Sequence, residues 1–408
     1  MRRIAAVVLG MAVALAVTVL LGAERAEPLP TLRNGADWRT TSALAHAAYA
    51  STPVERPTAS NMTDAAWLRS GSIPGGTARR EVVRQALLDL HALMQANGAV
   101  AAGPDGPWAY AWPRDNAFVA VAFAVSGHPD DAWRALDFFV PAQLRDDGFE
   151  ARYRLDGTGP PDDRTPQTDG AGWLLWAIEG VRTASGEPVP RELRALRDRA
   201  TEHVLHLTED GRRLPPASPD YWEVPERRVT LGTVAPMVAG LEASSRGYAA
   251  TGDSLRSSRS VTAAFSLRAL IDEHFGPRYE RHGDSGGPDA AAAMLLPPFA
   301  ASAGPGVLAA VRAYADQARR PAGGLAPGVG WKSDGVSWTP ETALIAYTAA
   351  ARGDDVTATR WQDWLARQAT GWGSLPEKVL PDGRPAGPAP LAWTAALFVL
   401  TEHELAQR

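Results

Sequence analysis

Apolar positions recur at three- and four-residue spacing along most of the chain after residue 76. In the first such stretch Val82, Val83, Ala86, Leu87, Leu90 and Leu93 share one helical face. The same pattern predicts helices near 115–126, 129–145, 168–184, 190–208, 228–250, 254–275, 287–300, 303–319, 338–352, 354–369 and 388–405. Gly and Pro punctuate nearly every junction, as helix stop signals do. Strand-like alternation is scarce. Many helices between 115 and 300 are rich in Ala and Val and apolar on two faces, the mark of helices buried on both sides. About twelve such elements suit two concentric layers better than a bundle. No repeat of fixed period points to a solenoid.

Six long segments separate the helices: 98–114, 146–167, 209–227, 276–286, 320–337 and 370–387. They follow alternate helix pairs. Loops of this length in a compact domain are usually functional, and rigid scaffolds carry their sites on loops. If alternate loops emerge on one face of a helical barrel, these six converge on one opening.

The hydrophobic pattern differs at the start. Arg2 and Arg3 precede an apolar run from Ile4 to Ala23, long enough to span a bilayer. It exceeds the roughly 7–15 apolar residues of a usual signal core. The positive-inside rule puts the arginines in the cytoplasm and the rest of the chain outside. The expected organisation is a signal peptide or signal anchor over 1–26. A linker with little structure follows over 27–76, with a short helical piece around Ser42–Ala50. One helical domain then fills 77–408. The main body is expected to be extracytoplasmic, anchored in the cell membrane or secreted.

Composition narrows the chemistry. The 408 residues are 45% hydrophobic and 21% charged, ordinary values for a globular protein with a sizeable core. A net charge of −5 with scattered signs argues against nucleic acid. Cysteine is absent, which excludes disulfides, thiolate nucleophiles and Cys-ligated metals. Tryptophan, at 14 residues, outnumbers Phe at 9 and Tyr at 8, and flat apolar faces of this kind suit sugar rings.

The candidate residues lie in the loops. WAYAWPRDNAF (108–118) holds Trp112, Arg114 and Asp115. Asp115 reads either as a helix cap or as part of a sugar grip, in which Arg donates a fixed fork, Asp accepts from hydroxyls and Trp covers a ring face. TPQTDGAGW offers the Gln167 amide and Asp169, again with capping as the plain alternative. SPDYWEVPERR (218–228) sets Glu223 among Tyr221, Trp222 and Val224. Apolar neighbours disfavour a charged carboxylate, the property a general acid needs. Glu226 reads as a first-turn helix acid. Glu341, after Thr339 and Pro340, reads as structural for the same reason. Glu377 in GWGSLPEKVLPDG begins no helix. Two loop glutamates far apart in sequence, each with Trp nearby, are the raw material of glycosidic hydrolysis. His203 and His206 share a helix face, but a pair without a third ligand reads as structural.

WPRDNAF, PQTDG, DYWEV and LPEKVLPDG…PAPLAWTAALFV stand in an order and context that resemble glycoside hydrolase family 15, the glucoamylase-like enzymes, over roughly residues 80–405. The resemblance implies an (α/α)6 barrel that inverts configuration without metal or cofactor. It implies Glu223 as general acid, Glu377 as general base, and Arg114 with Asp115 gripping the non-reducing glucosyl unit. Trp112, Gln167, Asp169, Tyr221 and Trp222 are the further candidates for the substrate pocket. The partner would be an oligo- or polysaccharide, and the chain is expected to act as a monomer.

The chain departs from the family pattern at several points. Lys378 stands where Gln commonly follows the base, and an ammonium there favours the ionised base. Val224 replaces the second acid of fungal members. No aromatic lies in 160–165, no matching arginine is evident in 320–337, and no room exists for an added β-sandwich domain. Two competing readings follow. One is a membrane-tethered, catalytically impaired glycan-binding relative on the same barrel. The other is a lyase or phosphorylase, though the sequence holds no Gly-rich phosphate cradle. Starch fragments, isomaltosides, trehalose and an envelope glycan all stay open as substrates.

Overall fold

The computed structural model describes residues 64–142, 148–304 and 306–408. Its helices are α1 (Asp64–Ser70), α2 (Arg80–Leu93), α3 (Pro113–Val125), α4 (Pro129–Asp137), α5 (Asp169–Ser185), α6 (Arg191–Leu207), α7 (Leu231–Ala250), α8 (Ser254–Phe275), α9 (Val307–Gln317), α10 (Thr339–Ala351), α11 (Asp355–Arg367) and α12 (Ala392–Ala406). A 3-10 helix spans Ala290–Leu295. Three two-residue strands, β1 (Ser337–Trp338), β2 (Lys378–Val379) and β3 (Pro385–Ala386), pair antiparallel in that order.

Two layers follow from which faces are apolar. Helices α3, α5, α7, α10 and α12 are buried nearly all round, as their Ala, Val and Leu content requires. With the 3-10 helix they close a ring in the order α3, α5, α7, 3-10, α10, α12 and back to α3. The amphipathic helices lie outside it: α2 on α12, α4 on α3, α6 on α5, α8 on α7, α9 on the 3-10 helix and α11 on α10. This is the expected (α/α)6 arrangement. Inside the ring Phe118 packs on Trp173 and Trp176 with centroids 5.1 and 5.0 Å apart, and Phe299 bridges Trp173 and Tyr347. Close approach of α5 and α7 needs Gly172, where a Cβ would meet the Pro236 carbonyl oxygen at 2.2 Å.

Three elements differ from expectation. The sixth inner element is only a 3-10 helix, because Pro297 and Pro298 offer no N–H to carry it further. Helix α4 ends at Asp137 rather than near 145. Helix α1 lies in the stretch expected to be linker. It docks by the buried Trp67, whose ring stacks between His91 and His128 and whose Nε1 donates to Asp131 at 2.7 Å. A single anchoring tryptophan leaves no periodic pattern to read. The N-terminal segment 1–26, the linker up to residue 63 and the helical piece around 42–50 lie outside the described residues. No helix among the described residues is long and apolar enough to cross a membrane.

Every connection of fourteen residues or more runs from an outer helix to the N-terminus of the next inner element, while the return connections are three to five residues except at 296–306. The six long loops therefore share one end of the ring. They meet over the positive ends of the inner helices, where carboxylates are favoured.

One buried acid on the outer layer gives a test of the packing. Asp89 on α2 accepts from Gln85 Nε2 at 2.8 Å, and burial pushes its carboxyl from 3.8 up to about 7. A raised carboxyl contributes stability fully below its unfolded value, and that contribution is lost as pH rises through 7. Asp89→Asn should therefore gain on the order of 2 kcal/mol relative to wild type between pH 4 and pH 8. Thermal melts at both pH values check this, and a difference that does not change with pH would refute it.

Candidate active site

The Glu223 side is built by a tight turn. Asp220 O accepts from Glu223 N at 2.8 Å, and Asp220 Oδ1 accepts from Trp222 N at 3.0 Å. Glu223 takes φ +57°, a left-handed conformation that few non-glycine residues adopt. Below the turn lies a buried network. Arg281 Nη2 donates to Asp220 Oδ1 at 2.8 Å and to Glu226 Oε1 at 2.7 Å. Its Nη1 reaches Asp289 Oδ2 at 3.3 Å, and its guanidinium lies 3.8 Å from the Trp222 ring centre. Tyr221 donates its hydroxyl to Asp289 Oδ1, which ties the turn to the start of the 3-10 helix.

Glu223 does not sit in the apolar pocket expected for it. Its Oε1 accepts from Gln167 Nε2 at 2.9 Å, and its Oε2 accepts from Arg164 Nη1 at 3.1 Å. Arg114 Nη1 lies 3.7 Å from Oε1. The positive φ swings the carboxylate out of the Tyr-Trp run toward the 164–167 loop. Glu226 also departs from its first-turn reading. Helix α7 begins five residues later at Leu231, and Glu226 instead pairs with Arg281 and His282.

The N-terminus of α3 supplies Arg114 and Asp115. The N-cap is Trp112, so Asp115 lies in the first turn and does not cap. Asp115 accepts from Arg114 Nη2 at 3.1 Å, and Arg114 lies over Trp393, 4.6 Å from the ring centre. Arg114 Nε and Nη1 and Trp112 Nε1 are buried without a hydrogen-bond partner among the described residues. Unpaired donors of this kind are costly unless a ligand meets them. Asp169 opens α5 and accepts from Trp173 Nε1 at 3.2 Å. Burial pushes its carboxyl up to about 7, against the pull of Arg114.

Glu377 is fixed on another of the long loops. Its backbone carbonyl accepts from Thr339 N at 3.0 Å, and its N–H donates to Pro388 O at 2.9 Å. Strand β2 starts at the next residue and pairs with β1, which hooks the loop onto the start of α10. Trp108 Nε1 donates to Glu377 Oε1 at 3.1 Å, and Lys378 Nζ lies 3.0 Å from Oε2. Gly387 passes so close, at φ +71°, that a Cβ there would meet Glu377 Oε2 at 2.5 Å. Glu341 keeps its first-turn position in α10. It is fully buried, and burial pushes its carboxyl up to about 8, with the charge of Glu377 adding to the rise and Arg114 opposing it.

The acid, base and pocket candidates lie in or at the ends of the long loops, with Trp112, Arg114, Asp115, Gln167, Asp169, Tyr221 and Glu377 buried and Trp222 and Glu223 partly exposed, whereas His203 and His206 lie on the outer helix α6. Sequence reasoning missed Arg164, Asp220, Arg281 and Asp289. It saw Trp108 without its link to Glu377. Among the described residues no group of three or more His, Asp and Glu side chains is arranged to hold a metal ion.

The chain is 27% identical over 354 residues to the isomaltose glucohydrolase of Kribbella flavida, covering 76% of this chain and 89% of that protein. Its fold is similar to a wild-type glycosidase at TM-score 0.69 and 23% identity, covering 80% of this chain and 96% of that one. A bacterial glucoamylase complexed with acarbose matches at TM-score 0.68 and 19% identity, over 84% of this chain and 57% of that one. Glucoamylase from Saccharomycopsis fibuligera matches at TM-score 0.65 and 14% identity, over 82% and 97%. No family model matches the chain. The class these likenesses define is a glycoside hydrolase on a glucoamylase-like (α/α)6 barrel. Within that class the relatives bear out the resemblance to glycoside hydrolase family 15 read from the motifs.

Proposed function

We propose that the chain removes a glucosyl or related unit from the non-reducing end of an α-glycoside, with inversion. The observation that carries this is the pair of loop carboxylates, Glu223 and Glu377. They are presented by two different long loops at the same end of the ring, and Arg114 lies beside the first of them with its Nε lacking a hydrogen-bond partner among the described residues. Glu223 gives its proton to the glycosidic oxygen as the C1–O bond breaks. A water oxygen bonds C1 from the opposite face, and its proton passes to Glu377. Solvent then restores both groups. Such a water needs about 6.5–9.5 Å between the two carboxyls. Burial pushes the Glu341 carboxyl up to about 8, which favours Glu377 over it as the base. The name of the Kribbella relative favours an α-linked glucosyl disaccharide as substrate. The apolar run at 4–23 supports an extracytoplasmic place for the reaction, by signal peptide or anchor.

Arg164 and Arg114 at Glu223 favour a second reading, a glycan-binding barrel without turnover. Arg164 is half exposed and also tied to Asp162, so under the first reading an arriving substrate displaces it. Proton NMR of a panel of α-linked disaccharides separates the two. The β-anomer is expected first. An α-anomer first would overturn inversion, and ligand-induced shifts without turnover would establish the binding reading.

A further inference from the structure

A band of indoles runs from one glutamate to the other. Trp222 adjoins Glu223 and packs edge-on against Trp331, with centroids 4.9 Å apart. Trp331 packs edge-on against Trp338 at 5.5 Å. Lys378 Nζ lies 4.4 Å from the Trp338 ring centre and 5.6 Å from that of Trp108, the indole that donates to Glu377. Lys332 Nζ lies 5.4 Å from the Trp331 ring centre. The indole N–H groups of Trp222, Trp331 and Trp338 are buried without a hydrogen-bond partner among the described residues. A buried donor left unpaired is expensive, and three such donors fall in this one band.

The charges on this band are unusual for this chain. Of its 41 basic residues only two are lysines, Lys332 and Lys378, and both stand here. An ammonium is a compact point charge that fits over an indole face and still offers donors to a single anionic oxygen, where a guanidinium would demand a planar fork. The nearby acids outside the catalytic pair are otherwise engaged. Glu226 binds Arg281 and His282, Asp334 accepts from Val336 N, and Asp382 pairs with Arg384. The band is therefore aromatic, with Lys332 free of an acidic partner among the described residues and Lys378 shared with Glu377.

We infer that this indole and lysine wall is the leaving-group subsite, and that it selects an aglycone joining a flat apolar face to a carboxylate over a neutral second glucose. The inference rests on the hydrolase reading above. The exposed indole surface covers the aglycone's apolar face, and Lys332 and Lys378 meet its charge. Lys378 thereby moves between Glu377 and the substrate carboxylate, which couples arrival of an anionic leaving group to release of the base.

The test compares 4-carboxyphenyl and 4-carbamoylphenyl α-glucosides, which match in shape and differ in charge. On the wild-type chain kcat/KM for the carboxylate should exceed that for the amide by about tenfold at low ionic strength, and salt should close the gap. In the double variant Lys332→Gln, Lys378→Gln the ratio should fall to about one. The ratio within each variant cancels any general loss of activity. A wild-type ratio of one or less overturns the inference, and so does a preference that survives the double variant. If neither glucoside turns over, the hydrolase reading fails separately. Quenching of tryptophan fluorescence then gives the same ratio as Kd values, where equal affinities overturn the anionic subsite and tighter binding of the carboxylate upholds it.

Discussion

Glu377→Gln is expected to lower kcat by roughly 10²–10⁴-fold on every substrate, natural or activated. Water attack needs a base whatever leaves, and no neighbouring acid takes the role. Burial pushes the Glu341 carboxyl up to about 8, and Asp115 is paired to Arg114. Glu223→Gln should instead split by leaving group. On a disaccharide, whose alkoxide leaves poorly, the loss should be of the same roughly 10²–10⁴-fold order. On α-glucosyl fluoride, which departs without protonation, most of the rate should survive. Steady-state kinetics of both variants on both substrates check the roles. Loss on the fluoride with Glu223→Gln, or survival on it with Glu377→Gln, would reverse or void the assignment. Glu341→Gln keeps the shape of a protonated acid and should retain most of the rate. A collapse in that variant would move the base to Glu341.

The inner ring was legible because its helices carry apolar residues on every side, a pattern that only double burial explains. The loop face was legible for a topological reason. Long connections alternate with short ones along the chain, and in a two-layer helical ring the long ones must share an end. Glu377 stood out because no helix follows it. The surroundings of Glu223 were misread because sequence neighbours are not spatial neighbours in a turn with positive φ. Tyr221 and Trp222 point into the wall, while the carboxylate meets Arg164 and Gln167, 59 and 56 residues away. Arg281 was invisible for the same reason, since it meets Asp220 across 61 residues and no local pattern marks it. Glu341 carried two signals at once. Its first-turn position in α10 gave a sufficient local explanation and hid its burial beside Arg114 and Glu377.

Arg281→Met should cost about 3–5 kcal/mol of stability, because it strands buried carboxylates that one guanidinium now serves. Arg281 is 2% exposed and pairs with Asp220, Asp289 and Glu226 at 2.8, 3.3 and 2.7 Å. Asp220 in turn holds Trp222 N and the hydroxyl of Thr230, so its disturbance reaches the turn that presents Glu223 and the cap of α7. Trp222 would also lose the cation beneath its ring. The stability loss should therefore come with a fall in kcat larger than that in affinity for a product sugar, whose proposed contacts to Arg114 and Asp115 lie at the start of α3. Urea unfolding and kinetics measure the two effects. Arg256→Met is the control, since Arg256 pairs with Asp198 and Asp253 at the surface and such exposed pairs contribute roughly 0–1 kcal/mol. If Arg281→Met unfolds within about 1 kcal/mol of wild type, the buried network does not hold the turn. The positive φ of Glu223 would then have to be maintained by the Gln167 and Arg164 contacts alone.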